Sequence, residues 1–304
     1  MDTVVVGSRG SRLAVAMVTE FLAGLGGTCP VVRFKHRIVM TDGDKDRKSL
    51  VSEVSEGDGA FSSQLEQELT EHRIDLAVHS LKDLPTATPA GLALATTPAR
   101  GDLQDVLCGG TLAGLRPGAR VGTGSARRIA QLKALRPDLD VVPIRGNVPG
   151  RLAKLRTGGL DAVMLAAAGL RRLGLDDAIT ELLPLTDFPP SPGQGAMAIQ
   201  VRAADTELLE MLSSYGDPAT DAAVTAERAL LAELHGGCSV PVGAYATASP
   251  GGLTLMAQVT SLDGTKQVSG SATGADPRRL GADLAATLLD QGAEAILREV
   301  RAPV

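Results

Sequence analysis

Short apolar runs alternate with helical patterns through the middle of the chain, and this alternation limits the folds that are open to it. Three such runs cover residues 119–122, 140–144 and 161–165, and helical patterns cover 125–135 and 147–156. Strands joined through helices pair in parallel and need helices on both faces of their sheet. The sequence therefore predicts an α/β architecture, in which ligands bind beyond the carboxyl ends of the strands.

The amino-terminal part carries the same kinds of element in a less regular order. Apolar runs at 3–7 and 74–78 predict buried strands. Residues 31–39 alternate between apolar and basic side chains, which predicts a half-exposed strand with Ile38 on its apolar side. Residues 41–59 are rich in Asp, Gly, Ser and Lys and show no period, which is typical of a mobile lid or of a disordered segment.

The carboxyl-terminal part has a different order of strand and helix patterns, which predicts a small α+β domain. Residues 183–194 contain four prolines and resemble a crossing between domains. A helical pattern at 219–235 then ends at Gly236 and Gly237, which are typical stop signals. Three strand patterns follow without intervening helices, before a last helical pattern at 277–290. With 304 residues, the chain is long enough for two or three domains.

Composition and charge narrow the classes of ligand. Aromatic residues make up 2% of the chain and Trp is absent, which predicts aliphatic cores and argues against surfaces that stack on nucleic-acid bases. The net charge is -5, but the stretch from Arg116 to Arg172 holds ten Arg, two Lys and three acidic residues. These cations either cover solvated helix faces or line a site for a small molecule with several negative charges.

The three cysteines, Cys29, Cys108 and Cys238, match neither a disulfide framework nor a zinc pattern. This favours a reducing compartment, and we expect a cytoplasmic protein because neither a signal peptide nor an apolar run of membrane-spanning length is visible. The phosphate-binding P-loop, G-x-S-x-G and H-E-x-x-H motifs are missing, and the four His residues show no ligand spacing. We therefore expect no metal site and no Ser hydrolase chemistry.

Polar loops follow four of the predicted strands, and together they predict a cleft that binds carboxylates through Arg side chains and helix N-termini. Each loop alone has a simpler interpretation, because Ser11, Ser125 and Asn147 are good helix N-cap residues. Asp83 can likewise be read as a turn residue before a proline. Cys238 follows two glycines at a helix-to-strand junction, which favours an exposed and reactive thiol. The four loops cover residues 8–11, 82–83, 123–128 and 145–147.

Several strings in this sequence resemble those of hydroxymethylbilane synthases (porphobilinogen deaminases), in the same order and along essentially the whole chain. The most specific are A-V-H-S-x-K-D-x-P, at residues 77–85, and G-G-C-x-V-P-x-G, at residues 236–243. Further strings of the same resemblance lie at residues 8–14, 122–128, 135–139, 144–148, 170–174, 193–195 and 225–228.

The resemblance implies two domains similar to type II periplasmic binding proteins, with parallel or mixed sheets, and a small carboxyl-terminal α+β domain. The implied division is 1–98 with 196–217, then 99–195, then 218–304, with a lid at 42–59. The resemblance further implies a dipyrromethane cofactor joined by a thioether to Cys238, and Asp83 and Lys82 as catalytic residues. The implied cofactor- and substrate-binding residues are Arg9, Ser11, Thr123, Ser125, Arg127, Arg128, Arg145, Arg151, Arg172 and Gln194.

The implied activity is the condensation of four porphobilinogen units, with loss of ammonia, into a linear tetrapyrrole. Each unit brings two carboxylates, which an Arg-rich cleft can neutralise. A carboxylate at Asp83 would stabilise the cation that forms when ammonia leaves, and Lys82 beside it favours the charged carboxylate. We expect porphobilinogen as the partner, no nucleic acid, no membrane and a monomer.

Departures from the family pattern leave two alternatives open. The lid carries Asp42 and Asp58, and Ser63, Gln64 and Gln200 replace residues that are charged in usual members. A divergent paralogue could therefore bind pyrroles or another polyanion without completing the cycle. The other alternative is a solute-binding protein of the same fold, which would need an export signal and no reactive thiol.

Overall fold

Three sheets organise the part of the chain that the computed structural model describes, which covers residues 3–26, 32–41, 62–235, 240–250 and 252–301. Two of the sheets have five strands and one has three. The strands are β1 (Thr3–Arg9), β2 (Arg33–Val39), β3 (Leu76–Ser80), β4 (Leu92–Thr96), β5 (Asp105–Cys108), β6 (Arg120–Gly122), β7 (Asp140–Val142), β8 (Ala162–Ala166), β9 (Glu181–Leu182), β10 (Met197–Arg202), β11 (Val242–Ser249), β12 (Gly252–Thr260) and β13 (Gln267–Gly274).

Helices cover the faces of these sheets. They are α1 (Arg12–Leu25), α2 (Ser63–Thr70), α3 (Ala126–Leu135), α4 (Val148–Arg156), α5 (Ala167–Arg171), α6 (Thr206–Ser213), α7 (Pro218–Glu233), α8 (Pro277–Leu288) and α9 (Glu294–Arg301). Within the described ranges, no helix is both long and apolar enough to cross a membrane.

The first sheet has the strand order β2-β1-β3-β10-β4. β1 pairs in parallel with β2 and β3, whereas β10 runs antiparallel between β3 and β4. Its interior is aliphatic apart from Phe21 of α1, which is fully buried and packs edge-on against Tyr215 with ring centroids 5.5 Å apart. On the other face, Leu65 and Leu69 of α2 pack on Ile74.

The second sheet repeats this order with other strands, as β7-β6-β8-β5-β9. β6 pairs in parallel with β7 and β8, and β5 is the antiparallel strand that enters from the first domain. In both sheets the first of the three parallel strands lies between the other two, and the antiparallel strand belongs to a segment that crosses between the sheets. This shared topology confirms the expected pair of type II binding-protein-like domains.

The third sheet is antiparallel and packs against α7, α8 and α9, which confirms the small α+β domain. The contact between α7 and α8 depends on Gly281, since a Cβ at this position would overlap the carbonyl oxygen of Ala226. Strand β11 is tied to the crossing segment through a hydrogen bond from the N–H of Ala244 to the carbonyl oxygen of Pro190, at 2.8 Å.

The structure corrects some details of the sequence interpretation. The alternation of strands and helices alone predicted parallel pairing, whereas both large sheets are mixed, as the resemblance allowed. The patterns did not predict β4, β5, β9, α5, α6 or α9, which are short, and β5 is also buried along its whole length. Ile38 is 55% exposed whereas Val39 is buried, because successive side chains of a strand point to opposite faces and Val39 is the one that faces the core. The predicted lid at 42–59 lies outside the described residues.

Candidate active site

The carboxyl ends of β1 and β3 form one wall of a cavity. Ser11 caps α1 by accepting a hydrogen bond from the N–H of Ala14 at 3.2 Å, which fixes the short turn between Arg9, the last residue of β1, and the helix. Arg9 and Ser11 line the cavity together with His79, Ser80 and Asp83, and the apolar side chains of Leu13, Met17 and Val78 complete it. The cavity thus combines an acid, a cation and an apolar surface.

A 3-10 turn over Leu81–Asp83 follows β3 and carries the two charged residues of the predicted site. Leu81 is 1% exposed and anchors the turn in the core. The ammonium of Lys82 donates a hydrogen bond to Oε1 of Gln194 at 3.1 Å, from the segment that crosses between the sheets. Burial and, after it, the nearby Arg128 lower the pKa of Lys82 to about 8, against the opposing effect of Asp83.

The second sheet contributes two arginines from the first turn of α3. Its N-cap, Ser125, accepts from the N–H of Arg128, so the helix begins where the sequence pattern placed it. Both Arg127 and Arg128 are buried, and their guanidinium groups bind the carboxylate of Asp105 on β5 at 2.7 Å. Burial alone would raise the pKa of Asp105, but Arg127 and Arg128 reverse this effect and hold the pKa well below its usual range.

Arg145 and Arg151 lie at the same end of the second sheet, before and inside α4. Asn147 caps this helix by accepting from the N–H of Gly150 at 2.9 Å. Nε and Nη2 of Arg145 and Nε of Arg151 are buried and have no hydrogen-bond partner among the residues that the structure describes. Burial and the neighbouring Arg128 lower the pKa of Arg151 to about 10, and Asp83 opposes them. Guanidinium groups of the second sheet therefore face the carboxylate of the first.

The structure brings most of the predicted site residues together around one cleft. They are Arg9, Ser11, Lys82, Asp83, Ser125, Arg128, Arg145, Arg151 and Gln194. The sequence analysis allowed two interpretations of Ser11, Ser125 and Asn147, and the N-cap interpretation is confirmed.

Four predicted residues have their polar groups committed elsewhere. Arg128 donates through Nε and Nη2 to Asp105 and through Nη1 to the carbonyl oxygen of Met164 at 3.2 Å. Arg127 donates through Nη1 to Asp105 and also to the carbonyl oxygen of Pro189 at 2.9 Å. Thr123 is fully buried. Arg172 donates through Nε to Glu20 of α1 at 2.9 Å. The predicted attachment residue Cys238 lies outside the described residues.

Several buried or bridging charges were not predicted from the sequence. Asp105 and Glu227 are both 0% exposed, and each binds arginines from another segment. Glu20 joins α1 to Arg172. An acid within an apolar run, such as Asp105 before Val-Leu-Cys, is the one signal that could have indicated such a residue, because buried carboxylates need charged partners. Glu20 and Glu227 lie in ordinary helical patterns and give no such signal.

Comparisons with known proteins agree with the geometry. The family described as "Porphobilinogen deaminase, dipyromethane cofactor binding domain" matches residues 4–210, and "Porphobilinogen deaminase, C-terminal domain" matches residues 222–290. A porphobilinogen deaminase of Desulforudis audaxviator is 47% identical, with 98% of both chains covered. That of Syntrophobacter fumaroxidans is 42% identical, with 97% of both covered, and that of Deinococcus radiodurans is 44% identical, with 99% of this chain and 100% of the relative covered.

Solved structures give a much weaker likeness. The periplasmic VFT2 domain of BvgS from Bordetella pertussis is 18% identical, with a TM-score of 0.42 and coverage of 70% of this chain and 86% of that domain. The fold assignment therefore depends on the strand order described above. The sequence matches extend over almost the full length of the chain, and they favour neither the divergent paralogue nor the solute-binding protein. The chain belongs to the porphobilinogen deaminase family.

Proposed function

We propose that this transferase works as a hydroxymethylbilane synthase in the cleft between its two five-stranded sheets, with Asp83 as the catalytic carboxylate. The reaction condenses four porphobilinogen units with release of ammonia and frees the linear tetrapyrrole by hydrolysis. The observation that carries the residue assignment is the position of Asp83. It lines the cavity with Arg9 and lies close enough to Lys82 and Arg151 to affect the charge of both.

The donor set of the cleft fits the dipyrromethane cofactor of this family. Two linked pyrroles carry acetate and propionate groups, and the unpartnered guanidinium nitrogens of Arg145 and Arg151 are donors that such carboxylates satisfy. When bound, the dipyrromethane supplies the free pyrrole carbon to which new units are joined. We assign its thioether attachment to Cys238, and its carboxylates to Arg145 and Arg151.

Asp83 has a role that its surroundings make possible. A carboxylate stabilises the positive charge that develops on the substrate when ammonia leaves, and it can hold a proton released from a pyrrole N–H. The apolar surface of Leu13, Met17 and Val78 suits the flat pyrrole ring of the substrate and excludes water from the reacting atoms.

The proposal extends to the domain division and to the state of the protein in the cell. We assign the first domain to 1–98 with 196–217, the second to 99–195 and the third to 218–304. A cytoplasmic monomer is the expected state, and the free, buried thiol of Cys108 is consistent with a reducing compartment. Cell fractionation and sedimentation at micromolar concentration test the two parts of this expectation.

Intact-protein mass spectrometry tests the attachment site. Purified wild-type chain should carry an excess mass equal to two condensed porphobilinogen units, and Cys238→Ala should lack it. Cys108→Ala is the matched control and should keep the excess, because burial raises the pKa of the Cys108 thiol to about 11 and leaves it unreactive. A wild-type protein that stays at its bare mass after incubation with porphobilinogen would contradict the assignment.

Steady-state kinetics test the role of Asp83. Asp83→Asn keeps the shape of the side chain but removes the charge, and we expect turnover to fall by about 10²-fold or more, as for other acid-base groups. The exposed Asp187, which lies outside the cleft, gives a matched control in Asp187→Asn. Near-normal turnover in a folded Asp83→Asn protein would overturn the role.

A further inference from the structure

Asp105 lies at the meeting point of the second sheet and the crossing segment. Its carboxylate is 0% exposed and accepts four hydrogen bonds. Oδ2 accepts from Arg127 at 2.7 Å, and Oδ1 accepts from Nη2 and Nε of Arg128 at 2.7 and 3.1 Å. The fourth donor is Nε2 of Gln194, at 2.9 Å from Oδ1. One buried carboxylate thus binds two buried guanidinium groups and also an amide.

The hydrogen bond to Asp105 determines which way the amide of Gln194 points. Nε2 donates to Asp105 and to the carbonyl oxygen of Leu103 at 2.7 Å, so Oε1 is left to accept from Lys82. A flipped amide would place its oxygen against the carboxylate and its NH₂ group against the ammonium, and both contacts are repulsive. The main chain of Gln194 is fixed as well, since its carbonyl oxygen accepts from Nε of Arg100 at 2.7 Å.

We propose that Asp105 is a positioning residue for the condensation site, which orients the amide of Gln194 so that it holds the ammonium of Lys82 beside Asp83. The inference depends on the proposed function in one respect, namely the catalytic role of Asp83. The link runs from a strand of one domain, through the crossing segment, to the catalytic turn of the other. It therefore couples the buried pair of Arg127 and Arg128 to the position of the ammonium beside Asp83.

The charges around Lys82 predict the direction in which its pKa should change when Asp105 loses its charge. Two carboxylates, Asp83 and Asp105, and two guanidinium groups, Arg127 and Arg128, act on the ammonium. Burial lowers the pKa of Lys82 to about 8, and Asp105 opposes that change. Removing the charge of Asp105 leaves two cations and one anion, which favours the neutral amine. The Lys82 proton is then lost at a lower pH than in the wild-type enzyme.

The test is the pH dependence of Lys82 acylation, measured by mass spectrometry after competitive labelling with an amine reagent on the full-length holoenzyme. In Asp105→Asn, the midpoint for Lys82 should fall by about one unit from the wild-type value, which corresponds to a tenfold loss of proton affinity. The alkaline limb of the kcat profile should move with it. Asp140→Asn is the matched control, because Asp140 pairs with Arg120 at an exposed site in the same domain.

The outcomes separate this inference from the proposed function. An unchanged labelling midpoint in folded Asp105→Asn overturns the inference. A lowered midpoint with an unmoved kcat profile overturns the positioning role in the reaction, whereas the proposed function is decided separately by the turnover of Asp83→Asn. Where Asp105→Asn does not fold, Gln194→Met carries the test. It keeps the pairing of Asp105 with its arginines but removes the Gln194 oxygen that accepts from Lys82, so an unchanged midpoint and kcat in that variant overturn the link.

Discussion

Replacing Glu227 by Gln should lower the free energy of unfolding by about 3–5 kcal/mol, the cost of leaving one partner of a buried ion pair without its counter-charge. The carboxylate of Glu227 is fully buried in α7 and accepts four hydrogen bonds. Two come from Nη1 and Nη2 of Arg100 at 2.7 and 2.9 Å, and two from the N–H groups of Gly193 at 2.7 Å and Ala246 at 2.9 Å. The Arg100 side chain is 9% exposed, so little solvent is available to replace the lost charge.

Urea unfolding monitored by circular dichroism measures the effect through the shift of the midpoint at constant slope. Glu299→Gln is the matched control, because the pair of Glu299 with Lys266 is more than half exposed on both sides and such pairs contribute at most about 1 kcal/mol. Adding Arg100→Met to Glu227→Gln should restore part of the loss, since the unpaired cation disappears. A loss below about 1 kcal/mol in Glu227→Gln would refute the reasoning.

Three further outcomes follow from the described contacts. Glu20→Gln releases Arg172 from its ion pair and should lower the Kd for porphobilinogen by about two- to fivefold, which corresponds to the free energy of a partly exposed ion pair. Calorimetry in the Asp83→Asn background measures this Kd, and weaker binding would contradict the expectation. Burial lowers the pKa of His79 to about 4 from 6.5, so the unfolded chain binds more protons between these values and the unfolding free energy falls as the pH drops from 6.5 to 4. His79→Gln should flatten this fall in pH-dependent urea titrations, and an equally steep fall would show the reasoning wrong. Gly281→Val places a side chain against α7 and should cost about 1–3 kcal/mol by the same measurement, whereas an unchanged midpoint would mean that the helices can separate without penalty.

The parts of the fold that depend on neighbouring residues could be predicted from the sequence. Ser11, Ser125 and Asn147 cap α1, α3 and α4 where the patterns placed them, because an N-cap needs only a side-chain oxygen and the next three residues. The positions of Lys82 and Asp83 at the end of β3 follow in the same way from a short apolar run and its boundary.

The parts that depend on distant segments could not be predicted in this way. The sequence does not reveal that β10 pairs between β3 and β4, since strand partners are chosen by the folded chain rather than by local pattern. Arg127 and Arg172 were assigned to ligand carboxylates, but acids of other segments, Asp105 and Glu20, bind their guanidinium groups.

The place of β10 has a consequence for the order in which the protein can fold during synthesis. All strands of the second sheet lie between Asp105 and Leu182, so that sheet has its full set as soon as this stretch is made. The first sheet lacks an inner strand until Arg202 has been added, and until then β3 and β4 each present an unpaired edge that invites association with other chains. Vectorial translation therefore completes the second domain before the first, against the order of the chain.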